Sequence, residues 1–151
     1  MEIRSLILLL VGLLSTAEMA VAERGYFRRP SIHGDTIVFT AEGDLWRVST
    51  AGGSAMRLTS HLEQELDAAI SPDGRLVAYT ASYEGPREIY VIPIDGGRPR
   101  RITYDGETSG VRVRGWSPEG RVLYATRHFS TLPNTQLVLV HPDTLQQERI
   151  P

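Results

Sequence analysis

The chain has 151 residues, with 16 basic and 18 acidic side chains, a formal net charge of −2, no lysine and no cysteine. That balance argues against nucleic acid or an anionic membrane as the main partner. The lack of thiols excludes disulfides, thiolate metal sites and a lipid-modified cysteine.

Residues 1–22 read as a cleavable signal peptide: Arg4 supplies the positive charge, 6–14 the apolar centre, and Ala20, Val21 and Ala22 a small-x-small cleavage site. The uncharged run 5–17 falls short of the ~20 residues that a bilayer-spanning helix needs. Cleavage after Ala22 is therefore expected, leaving a periplasmic or secreted chain that is free of the membrane. Residues 23–29 follow as a polar lead-in with Tyr26 and Phe27, expected to form a strand that helps to close or brace the fold.

From here the chain repeats itself. Gly52-Gly53 and Gly96-Gly97 lie 44 positions apart, and Ser117 follows Ser71 by 46. A period in the forties, filled with short apolar runs and no helical pattern, is the signature of one propeller blade per repeat. In the first unit, Ile32, His33, Gly34 and Asp35 stand where a turn is expected, and strands are predicted at 37–40, 44–48 and 56–59. Residues 60–68 are expected to link the units. In the second, Ser71-Pro72-Asp73-Gly74 has type I turn chemistry, with proline presetting φ and glycine accepting the open dihedral. Strands are predicted at 76–80 and 88–92, around an expanded loop of Ser82, Tyr83, Glu84, Gly85 and Pro86. Asp95, Gly96 and Gly97 form a tight turn that needs positive φ, and 100–103 a short outer strand. Polar residues 104–110 lead into the third unit, where 111–114 alternates apolar and basic residues and 122–125 and 136–140 read as strands. There Pro142, Asp143 and Thr144 replace the double glycine, and Arg149, Ile150 and Pro151 stand in register with Arg101, Ile102 and Thr103.

The near-continuous apolar strands imply sheets covered on both faces, which stacked blades provide. The expected fold is an all-β propeller, with three four-stranded blades of an incomplete six-bladed ring. Its divisions are lead-in and blade one at 23–60, blade two at 61–104 and blade three at 105–151. Propellers close with roughly four to eight blades, so open blade edges are expected to meet further blades or to self-associate.

Candidate chemistry is sparse. Gly115 to Gly120 places Ser117 in a near-miss of the G-x-S-x-G elbow, but the second glycine comes one place late and Pro118 suits a turn. Ser71 is its twin, so neither is assigned as catalytic. His33, His61, His128 and His141 lack the paired spacing of metal ligands and read as loop or rim residues. No cofactor or metal is assigned. Glu63, Glu65 and Asp67 form an alternating acidic stretch that suits a solvated loop or one mouth of a central channel. Arg98, Arg100, Arg101, Arg112 and Arg114 cluster in sequence; Arg100 and Arg101 point to opposite faces of a strand, whereas Arg112 and Arg114 share one. Surface solubility or bidentate capture of peptide carboxylates would use them. Trp46, Tyr79, Tyr90, Trp116 and Tyr124 recur at blade-equivalent places and are expected to pack between blades.

The unit built from Ser-Pro-Asp-Gly, a Val-Ala-Tyr-Thr strand, an Ile-Tyr-Val-Ile strand, Gly-Gly and Arg-Ile-Thr resembles the propeller repeat of the TolB and tricorn protease group. More specific are the run from Gly34 to Trp46, Tyr83-Glu84-Gly85-Pro86, and the segments 124–127 and 134–137. These are similar to the first blades of exported bacterial tricorn-like serine proteases. The resemblance implies a modular peptidase whose propellers guide peptides or unfolded segments, followed by a PDZ domain and a serine core beyond these residues. No catalytic position carries over to this chain. The leader sets it apart from cytoplasmic archaeal members. Two alternatives stay open: a TolB-like periplasmic interaction propeller without catalysis, and the propeller cap of a prolyl-oligopeptidase-type hydrolase.

Overall fold

The computed structural model describes residues 26–107, 110–131 and 134–151, so the expected signal peptide lies outside the described residues. Twelve strands form three separate antiparallel sheets of four. Blade one holds β1 (Arg28–His33), β2 (Thr36–Ala41), β3 (Asp44–Ser49) and β4 (Met56–Arg57). Blade two holds β5 (Leu66–Ile70), β6 (Leu76–Ala81), β7 (Glu88–Pro93) and β8 (Arg100–Arg101), and blade three holds β9 (Arg112–Trp116), β10 (Val122–Thr126), β11 (Gln136–Val140) and β12 (Gln147–Arg149). Strand order within each sheet follows the chain. The first strands β1, β5 and β9 pack side by side, so they are the innermost strands, and the outer strands fan away from them.

Two expectations shift at the blade starts. The lead-in contributes no separate brace among the described residues, because Arg28 and Arg29 already belong to the inner strand of blade one. His33 ends that strand, and only Gly34 and Asp35 turn, with Gly34 at φ +52 as a two-residue hairpin turn requires. The link between blades one and two is also shorter than expected, since β5 begins at Leu66. A bulge explains why alternation did not reveal β5: Leu66 pairs Thr80 and Ala69 pairs Ala78, leaving two residues opposite Tyr79, with Asp67 at φ +55.

Alternation in β6 and β7 sends one set of side chains to each neighbouring blade. Val77, Tyr79, Ala81, Tyr90 and Ile92 pack with Val38 and Leu45 of blade one. Ala78, Ile89 and Val91 pack with Val113, Val122, Tyr124, Val138 and Val140 of blade three. Blade two is thus covered on both faces, which accounts for its unbroken apolar strands. A fully buried valine, leucine or isoleucine contributes ~1.5–3 kcal/mol, so these two seams hold the sheets together. Tyr79, Tyr90, Tyr124 and the flank residue Trp116 take their expected interblade places. Trp46 pairs Phe39 across the sheet, on the face of blade one turned away from blade two, and donates to the Ala41 carbonyl of its own blade.

Topology gives the assembly two distinct ends. One carries the hairpin connections at 34–35, 50–55, 71–75, 94–99, 117–121 and 141–146; the other carries the loops between second and third strands and the connections from blade to blade.

Candidate functional site

The inner strands and the connection end hold the chemistry. In β1, Arg28 pairs Thr40 and Ser31 pairs Val38, leaving a bulge with Arg29 at φ +51; Asp67 stands in the matching bulge of β5. Arg112 follows on β9. The three side chains join across three blades: Arg29 Nη1 lies 3.2 Å from Asp67 Oδ1, and Arg112 Nη1 lies 3.2 Å from Asp67 Oδ2. Their side chains are 41, 15 and 34% exposed, so the row is accessible to solvent. The inner strands are stitched elsewhere by the Trp116 indole donating to the Ala69 carbonyl at 2.9 Å and the Ile70 amide to Ser31 Oγ at 3.2 Å.

The acidic stretch divides accordingly. Glu63 is exposed and Asp67 lies in the row, but Glu65 does not line a channel mouth, being fully buried between blades one and two. Its carboxylate accepts from the Leu45 amide at 3.0 Å and from the hydroxyls of Thr59 and Tyr83. Tyr83 comes from the expanded loop of blade two, packs at a tilt against His61 with ring centroids 4.2 Å apart and shares a 3.1 Å hydrogen bond with Tyr79. Burial pushes the Glu65 carboxyl above its usual range despite these three donors, and burial also raises the Tyr79 and Tyr83 hydroxyls.

Glu88 is the second buried carboxylate. It accepts from Thr103 Oγ1 at 2.6 Å, the Gly106 amide at 2.9 Å and Arg101 Nη2 at 2.7 Å. The Ile89 amide donates to Thr103 Oγ1 at 2.9 Å, and Arg101 Nε to the Thr103 carbonyl at 2.8 Å. Blade one repeats the device one period earlier: Asp44 receives Arg57, the Leu45 amide donates to Thr59 Oγ1 at 2.8 Å, and Arg57 Nε to the Thr59 carbonyl at 2.9 Å. The reading of the sequence missed this clasp, although Asp44, Arg57 and Thr59 recur as Glu88, Arg101 and Thr103 at a constant spacing of 44.

The basic cluster disperses to different places. Arg100 reaches into blade three, to the Pro142 carbonyl and to Asp143 Oδ1 at 2.9 Å, whereas Arg101 stays with Glu84 and Glu88. Arg112 joins the inner row. Arg114 is exposed and falls at a register shift, so strict alternation does not carry Arg112 and Arg114 along one face. Arg98 is exposed beside the double glycine.

Both candidate serines serve turns. Ser71 Oγ donates to Asp73 Oδ1 at 2.6 Å and accepts from the Leu76 amide at 2.9 Å; Ser117 Oγ accepts from the Arg121 amide at 3.3 Å. The Ser71 hydroxyl, followed by Arg75, holds the Asp73 carboxyl below its usual range, and the hydrogen bond of the Ser117 hydroxyl to Glu119 does the same there. His61 and His141 each accept a backbone amide at Nδ1, while His33 approaches Gly74 and His128 packs on Phe129. Among the described residues no three metal-ligating side chains gather.

Known proteins share this fold. Residues 24–151 match the family model described as the tricorn protease N-terminal beta propeller domain. Tricorn protease homolog 1 of Streptomyces coelicolor is 40% identical over 102 residues, covering 68% of this chain and 10% of that protein. Among solved structures, the tricorn protease superposes with a TM-score of 0.74 at 27% identity, over 83% of this chain and 13% of the other. A TolB-type protein from Agrobacterium tumefaciens gives a TM-score of 0.69 at 27% identity, over 84% of this chain and 46% of the other. The chain thus spans about a tenth of the length of the curated tricorn relative it matches. With three four-stranded blades, a matching family model over 24–151 and this kinship, the chain belongs to the tricorn protease N-terminal β-propeller family.

Proposed function

We propose that this chain forms the first blades of the N-terminal propeller of an exported tricorn-type serine peptidase, where it guides peptides or unfolded segments toward a catalytic core outside these residues. The observation that carries the reading is the Arg29–Asp67–Arg112 row, which brings two arginines to the inner strands of a protein of this family. Guanidinium groups recognise carboxylates through paired, charge-assisted hydrogen bonds, so the row suits the free end of a peptide. The leader-like residues 1–22 support export. Further blades are proposed to complete a six-bladed ring.

The test uses the parent protein, comparing hydrolysis of a short peptide with that of its C-terminally amidated twin. The expected result is hydrolysis that favours the free carboxylate and a lower kcat/KM for that peptide in Arg112→Gln. A parent protein that hydrolyses no peptide, and is unchanged when its core serine is replaced, sinks the peptidase reading. The TolB-type likeness then favours the alternative, an interaction propeller without catalysis.

A further inference from the structure

Two arginines share a single carboxylate in the inner row. Among the described residues Asp67 is the only acid paired with either Arg29 or Arg112, one oxygen to each. A guanidinium carries five N–H donors, and each of these makes one contact to Asp67, which leaves donors for a second acceptor. The bulge fixes the Asp67 backbone at φ +55, so its carboxylate is held between the two cations by the strand itself.

We propose that Asp67 is an internal competitor for the carboxylate that this row receives, and therefore sets its affinity and selectivity. The inference rests on the reading of the row as a binder of peptide C termini. An incoming carboxylate meets two guanidiniums already half neutralised and a like charge between them, and it binds by sharing or displacing Asp67. Asp67 would thus hold binding weak enough for a peptide to move on.

Asp67→Asn tests this, because asparagine keeps the side-chain shape and tolerates the left-handed backbone while removing the charge. The probes are a fluorescein-labelled pentapeptide with a free C terminus and its amidated twin, titrated onto the purified parent protein with its core serine replaced by alanine. The expected result is roughly fivefold tighter binding of the free-carboxylate peptide, with the amide unchanged. Asp67→Gly, which also accepts positive φ, is expected to shift binding in the same direction. If wild type prefers the free carboxylate and both variants bind it no more tightly, the competitor role is overturned while the carboxylate reading stands. Equal binding of the two peptides to wild type and variants overturns both.

Discussion

Glu65 shows how a single buried charge can be made tolerable. Three donors converge on it, so removing the carboxylate by Glu65→Ala takes one shared buried acceptor from the Leu45 amide and from the Thr59 and Tyr83 hydroxyls. We expect a loss of about 3 kcal/mol, read by urea unfolding. Its pH dependence has a defined sign. Burial raises the folded carboxyl above its ordinary value of 4.5, so its contribution to stability is complete below that value and is lost as pH rises through the raised one. Compared with Glu65→Gln, which does not titrate, the wild type is expected to be relatively more stable at about pH 4 than at about pH 7. A difference independent of pH would mean that Glu65 titrates normally. Alternation suggested a solvated acid here, because nothing in the local sequence announces that Tyr83, 18 positions later, folds over it.

At the scale of elements, the clasp between third and fourth strands governs whether the short outer strands form. β4 and β8 have two residues each, too few to stand on ladder bonds alone. Thr103→Val removes both the acceptor of the Ile89 amide and a donor to Glu88, and is expected to cost about 2 kcal/mol. Arg101→Ala leaves Glu88 fully buried with one charged partner fewer and is expected to cost about 3 kcal/mol. Glu88→Gln should recover part of that loss in a double-mutant cycle, since it removes the stranded charge. The repeat made most of this architecture legible. The second, third and fourth strands were placed by apolar runs and by Ser-Pro and Gly-Gly turns whose chemistry is local. The inner strands were harder, because bulges at Arg29 and Asp67 break the two-residue period on which strand reading depends. Trp46 holds the strand position of Tyr90 one period earlier and, like Tyr90, faces away from the blade that follows it.

For the whole molecule, the seams between blades combine apolar packing with paired tethers at the turn end. Arg47 of blade one reaches Asp95 of blade two, and Arg100 of blade two reaches Asp143 of blade three. The acidic partners are well exposed, so each tether guides alignment more than it stabilises. Loss of Asp95 or Asp143 is expected to change stability by less than ~1 kcal/mol. The packing is different in kind: Tyr79 and Tyr124 are fully buried in the two seams, and Tyr124→Ala should cost about 4 kcal/mol. The three-blade seam also creates the inner row, since its residues come from three strands that are distant in sequence and meet only when the blades align. No local motif records that meeting, which is why Arg29 escaped notice while Asp67 and Arg112 were singled out separately.

The central question for this chain is whether the inner row receives peptide ends. The direct measurement is fluorescence anisotropy of a labelled peptide, with a free or amidated C terminus, on the wild-type parent protein and on Arg112→Gln. The wild type is expected to prefer the free carboxylate, and that preference to fall by about tenfold in the variant. Equal binding of both peptides to both proteins would contradict it.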